Sequence, residues 1–179
     1  MVKPFIYKQH AESEIIRAVN DITAIYPEGE PFFDAMDDFL INMASRSVYN
    51  ALFEMAATLP LILTGGFGKR IARGIDSGEF PNRPYILFKG GLRKGNNPEV
   101  IKFSIDEIKD DTKFVFVDDT IYGGNTYFKI KEFLKIADIK VMCCVVVYDG
   151  CPHMRQGIFS IFRYYDHFKN VKPNFEFSV

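Results

Sequence analysis

Apolar positions follow two different rhythms along this chain. Residues 11–58 read as mostly helical. Phe32, Met36, Phe39, Leu40 and Met43 recur at three- and four-residue steps, the mark of an amphipathic helix. Pro31 stands near its start, where a missing N–H costs nothing. Tyr26 to Pro31 reads as a turn. From Leu59 the apolar residues come in short uninterrupted runs: Leu61 to Leu63, Pro84 to Phe88, Phe114 to Val117 and Ile139 to Tyr148. Residues 68–77 and Asn125 to Ile136 between them read as helices, and Val100 to Ile105 alternates as a short strand would. Residues 90–98 are a loop by composition. Uninterrupted apolar strands separated by helices predict an α/β fold, a Rossmann-like parallel sheet flanked by helices. Phe175 to Val179 is a candidate edge strand.

Length and charge narrow the class. One domain fits 179 residues, with residues 1–58 as a helical N-terminal region, 59–150 as the core and 151–179 as a C-terminal part. Lys and Arg number 22 against 23 Asp and Glu, so net charge alone supports no electrostatic nucleic-acid binder, and no nucleic acid is expected as a partner. The longest apolar run, Val141 to Tyr148, is far short of the ~20 residues of a membrane helix, and the N-terminal stretch has no uninterrupted apolar core of a signal peptide. Cys143, Cys144 and Cys151 are odd in number and have no Cys-x-x-Cys or zinc spacing; they read as reduced thiols of a cytoplasmic protein. With 18 Phe, 9 Tyr and no Trp, much of the core is expected to be Phe. His10, His153 and His167 are scattered, with surface or structural roles expected.

The candidate chemistry lies in Phe114-Val115-Phe116-Val117-Asp118-Asp119-Thr120-Ile121-Tyr122-Gly123-Gly124-Asn125-Thr126. A buried strand delivers two adjacent carboxylates at its carboxyl end, where ligands of open α/β sheets bind. A short glycine-containing loop and a helix start follow, whose free N–H groups suit a phosphate. Ionised carboxylates only accept hydrogen bonds, so the pair suits two hydroxyls. A ribose 5-phosphate with free 2- and 3-hydroxyls has both features. Gly66-x-Gly68 lacks the third glycine of a dinucleotide fingerprint, and no Walker loop is present.

The stretch VFVDDTIYGGNT resembles the phosphoribosyl-pyrophosphate motif of type I phosphoribosyltransferases. Two further segments fall where that family would put them. Pro60 to Phe67 resembles its pyrophosphate loop, with the Leu63–Thr64 peptide cis by analogy. Tyr85 to Lys89, with Gly90 to Asn97, resembles its second strand and mobile catalytic loop. Any buried strand can end in Asp-Asp, and Gly-Gly can simply close a turn; the three segments in order carry the resemblance. It covers residues 59–150.

The resemblance implies transfer of ribose 5-phosphate from phosphoribosyl pyrophosphate to a nitrogenous base, giving a nucleoside monophosphate and pyrophosphate. Asp118 and Asp119 would hold the ribose hydroxyls and, through water or ribose, Mg²⁺. Thr64, Gly65 and Gly66 would bind pyrophosphate. Thr120, Ile121, Tyr122, Gly123, Gly124, Asn125 and Thr126 would bind the 5-phosphate. Lys89, Arg93 and Lys94 would bring positive charge to the leaving group. Residues 1–58 or 151–179 would form a small hood choosing the base, and a homodimer is expected. Departures bear on the function. Gly123 stands where most members carry Thr, and Tyr122 where hypoxanthine-guanine enzymes carry an aspartate; a Tyr there resembles the pyrimidine-operon attenuator proteins. A non-catalytic or weakly catalytic sensor of phosphoribosyl pyrophosphate or nucleotides on the same fold therefore stands as the alternative.

Overall fold

The computed structural model describes residues 4–163, apart from 28, 93–94, 106–107, 110 and 152–155. Three helices come first: α1 (Pro4–Ile25), α2 (Glu30–Asn42) and α3 (Arg46–Met55). The alternating half follows as β1 (Leu61–Thr64), α4 (Gly65–Asp76), β2 (Tyr85–Phe88), β3 (Val100–Ser104), β4 (Lys113–Ile121), α5 (Asn125–Ile136), β5 (Lys140–Asp149) and β6 (Ile158–Arg163). The six strands form one sheet in the order β3-β2-β1-β4-β5-β6. All neighbouring pairs are parallel except β2–β3, so the sheet is mostly rather than wholly parallel. A short loop joins β2 to β3, too short for the crossover that a parallel neighbour needs. The candidate strand at Phe175 to Val179 lies outside the described residues.

Both faces of the sheet are covered, which explains why its strands read as continuous apolar runs. Along β5, Cys143, Val145 and Val147 join the cluster under α1–α4, while Cys144 and Val146 join the cluster under α5. All three cysteines are buried and free. The edge strand β3 is different: Val100, Ile101 and Phe103 remain exposed.

The N-terminal helices belong to the same core as the strands. Phe32, Met36 and Leu40 of α2 are fully buried, as their spacing predicts. Met43 ends that stripe in the sequence but stands exposed, because the helix has closed at Asn42 and Met43 is its cap. Ser45 caps α3 by accepting from the Ser47 N–H. No described helix is long and apolar enough to cross a membrane.

Helix α4 is held from outside by an aromatic stack. Phe80 stacks on Tyr49 at 4.8 Å and packs on Phe53 at 5.3 Å, while the Arg70 guanidinium lies 4.9 Å over its ring. Arg70 is itself fixed by two bonds to the Glu79 carboxylate, at 2.9 and 2.6 Å. Phe80 therefore has little freedom to move, and it sits against Gly74: a Cβ there would meet the ring at 2.2 Å. Alanine in a helix gains ~1 kcal/mol over glycine, but overpacking a core costs ~1–3 kcal/mol. Gly74→Ala is expected to lower Tm by several degrees in thermal denaturation, and Phe80→Leu in the same chain is expected to recover part of the loss.

Candidate functional site

Strand β4 outruns its neighbour. Its pairing with β1 ends at Leu63↔Val117, while its pairing with β5 continues to Ile121↔Asp149. Asp118 and Asp119 therefore belong to the strand, as expected, and the strand runs on past them to Ile121, beyond the apolar run that ends at Val117. Adjacent strand residues normally face opposite ways. Here β1 has already turned into α4, so the space on that side is open, and both carboxylates line one cavity of about 540 Å³.

Two helix starts close the ends of this cavity. On the β1 side, α4 begins directly at Gly65, so Thr64-Gly65-Gly66 is a strand end and a first helical turn rather than a loop. Gly65 has φ +65°, and no described peptide bond is cis, the Leu63–Thr64 bond included. The turn is made by a left-handed glycine in place of the expected cis peptide. On the β4 side, Gly124 has φ +82° and precedes α5, with the Phe128 N–H donating to its carbonyl at 3.0 Å. The first N–H groups of both helices have no partner within their helices, and the helix dipole adds partial positive charge. Thr64 to Gly66 and Thr120 to Thr126 all line the cavity. Asn125 Oδ1 is buried there without a hydrogen-bond partner among the described residues.

The sequence-predicted basic residues are placed differently. Lys89 does not line the cavity; its ammonium donates to Glu99 at 2.9 Å, both side chains being exposed. Arg93 and Lys94 lie outside the described residues. Gly90, Gly91 and Leu92, from the same loop, do reach the cavity. Gly90 passes so close to the β1 end that a Cβ would meet the Gly65 Cα at 3.0 Å.

Sequence reasoning missed the contribution of α2. Glu30, Phe33, Asp37 and Ile41 line the cavity opposite the strand ends. The Thr120 hydroxyl donates to Asp37 Oδ1 at 3.1 Å and lies 3.4 Å from Asp119 Oδ1. Phe33 packs on Tyr122 with ring centroids 4.1 Å apart, and Tyr122 leads on to Tyr148 at 6.0 Å. The signal was present as Phe33 and Asp37, four residues apart beside the Phe32/Met36/Leu40 stripe. Phe162 packs on Tyr148 at 6.0 Å behind this wall, while Tyr164 and Tyr165 lie outside the described residues.

The described lining of the cavity is acidic. It holds the carboxylates of Glu30, Asp37, Asp118 and Asp119 and no Lys or Arg. Arg163, at the end of β6, is tied to buried Asp149, its register partner on β5. Burial pushes Asp118 well above the usual carboxylate range, and the charges of Asp119 and Asp37 push it further. Asp119 is also raised by burial, with the Thr120 N–H pulling the other way through a 2.7 Å bond. Burial, then the Asp37 charge, raises the Tyr122 phenol well above its ordinary value, so it stays protonated. The two aspartates are thus less readily ionised than the sequence alone suggests. The oxygen donors are of the type Mg²⁺ prefers, but no three His, Cys, Asp or Glu side chains among the described residues are grouped to hold an ion alone.

No family model matches the chain, and no curated protein matches it. Solved structures do. Adenine phosphoribosyltransferase from Leishmania donovani is 15% identical, with a TM-score of 0.45 over 78% of this chain and 75% of that one. Orotate phosphoribosyltransferase from Aeropyrum pernix is 16% identical, with a TM-score of 0.40 over 79% and 76%. A hypoxanthine phosphoribosyltransferase from Staphylococcus aureus is 12% identical, with a TM-score of 0.42 over 73% and 75%. The chain is similar to these phosphoribosyltransferases. Likeness at this level transfers no residue's role, and the chemistry rests on the site's own groups.

The raised Asp118 has a stability consequence with a definite sign. A carboxyl that holds its proton more tightly when folded contributes fully below its unfolded pKa, near ~3.9, and loses that contribution as pH rises through the higher folded value. Asp118→Asn is therefore expected to raise the Tm of the ligand-free protein at pH 7 by a few degrees, each kcal/mol being worth ~2–4 °C at this length. The gain should vanish near pH 4, which a Tm series across pH checks.

Proposed function

We propose that the chain is a phosphoribosyltransferase that moves ribose 5-phosphate from phosphoribosyl pyrophosphate to a nitrogenous base. One observation carries this: a carboxylate pair stands in a single cavity between two glycine-started helices, α4 and α5. A ligand fitting that order has an anionic group at each end and a diol in the middle. Phosphoribosyl pyrophosphate has that order, with the pyrophosphate at the Thr64–Gly66 end and the 5-phosphate at Gly123–Thr126.

In the proposed reaction the acceptor nitrogen bonds to the anomeric carbon as the carbon–oxygen bond to pyrophosphate breaks. Pyrophosphate leaves with the electron pair, and the proton of the acceptor nitrogen is released to solvent. Positive charge develops on the ribose ring in between. Asp118 and Asp119 accept from the ribose hydroxyls and stabilise that charge from a fixed position. The Gly65–Gly66 turn binds the departing pyrophosphate through main-chain N–H groups, and Gly90–Gly91 close over it. Asp118 and Asp119 would hold Mg²⁺ through water or ribose oxygens, and the ion would supply positive charge to the pyrophosphate. The loop carrying Arg93 and Lys94 would exclude water, which otherwise competes for the anomeric carbon.

The test is pyrophosphate release from phosphoribosyl pyrophosphate with Mg²⁺ over purine and pyrimidine bases and nicotinate. Base-dependent release is expected in the wild type. Asp118→Asn with Asp119→Asn is expected to abolish turnover with secondary structure retained by circular dichroism; unchanged turnover in that folded variant overturns the proposal. Binding without release for any base would favour a sensor. Arg93→Ala with Lys94→Ala is expected to lower kcat by more than it raises KM for phosphoribosyl pyrophosphate, as steady-state kinetics would report.

A further inference from the structure

Thr120 stands between two carboxylates that belong to different elements. Its hydroxyl donates to Asp37 Oδ1 of α2 at 3.1 Å and lies 3.4 Å from Asp119 Oδ1 of β4. The same Asp119 oxygen accepts the Thr120 N–H at 2.7 Å. One residue therefore grips Asp119 from its main chain and reaches α2 with its side chain. One turn before Asp37, Phe33 packs on Tyr122 with ring centroids 4.1 Å apart. Helix α2 thus meets the end of β4 at two neighbouring points, one polar and one aromatic.

The resemblance groups Thr120 with the residues that would bind the 5-phosphate. The geometry gives its side chain other work. A hydroxyl has a single proton to donate. Here that proton faces carboxylate oxygens, and a phosphate drawn to it would come up against Asp37 and Asp119. We infer that Thr120 is a positioning residue: braced on Asp37, it holds Asp119 at the angle at which that carboxylate accepts a ribose hydroxyl, and its own hydroxyl takes no part in holding the 5-phosphate. This rests on the reading of Asp118 and Asp119 as diol acceptors. It adds that α2, from the N-terminal part of the chain, sets the geometry of the diol site.

Two probes separate the roles. Ribose 5-phosphate carries the diol, and 2,3-dideoxyribose 5-phosphate carries the phosphate without it. Their Kd values for the full chain are read by protein-observed NMR titration, which reaches millimolar affinities. The wild type is expected to bind ribose 5-phosphate the more tightly. Thr120→Val removes the hydroxyl and keeps the branched shape. It is expected to weaken ribose 5-phosphate roughly 10-fold, the worth of about one hydrogen bond, and to leave the dideoxy probe within about twofold. Thr120→Ser restores the donor and is expected to keep the wild-type preference. Asp37→Ala breaks the same bond, so combining it with Thr120→Val is expected to add little to the loss. Equal weakening of both probes by Thr120→Val would make Thr120 a phosphate ligand and overturns the inference, as does an unchanged Kd for ribose 5-phosphate. If Thr120→Val fails to fold, Asp37→Ala decides by the same two readings. A wild type that binds both probes alike, or neither, overturns the reading of the acid pair as diol acceptors, and this inference with it.

Discussion

The site depends on a mismatch in strand length. β1 stops at Thr64 and turns at once into α4, while its neighbour β4 runs on to Ile121. The missing continuation of β1 is the cavity. Had β1 been longer, its backbone would cover one side of Asp118 and Asp119. The left-handed Gly65 makes the early stop possible, because a side chain at that φ would be strained. The same stop brings the starts of α4 and α5 to opposite ends of one space.

That space concentrates negative charge in a half-buried setting. Burial makes Asp118 hold its proton more tightly, and the neighbouring Asp119 and Asp37 charges add to this. Native proteins keep such arrangements where a ligand later supplies the compensation. Here the compensation would come as ribose hydroxyls and positive charge on the sugar ring. An aromatic wall beside Asp37 runs from Phe33 through Tyr122 to Tyr148.

Much of this was legible in the sequence for physical reasons. Doubly covered strands must be apolar throughout, so β1, β2, β4 and β5 stood out, and α5 matched from Asn125 to Ile136. The acid pair and the glycine turns were readable because their chemistry is local. Three things were not. The extension of β4 beyond the acid pair to Ile121 is fixed by pairing with β5, and polar residues hide a strand from hydrophobic periodicity. Lys89 was given to the cavity because it adjoins the loop, yet Glu99, ten residues on, holds it outside. Asp37 was passed over because its partner, Thr120, lies 83 residues away, a separation that no local pattern encodes.

The approach of Gly90 to Gly65 has a consequence beyond geometry. The turn that would hold pyrophosphate is written in main chain, with two positions where a side chain would either strain or collide. Around such a turn most residues are free to change, since amide N–H groups are common to nearly every amino acid. Selection would act there on shape rather than on identity. Lineages could diverge until little of their lettering agreed, and still keep the same hollow between the ends of two strands.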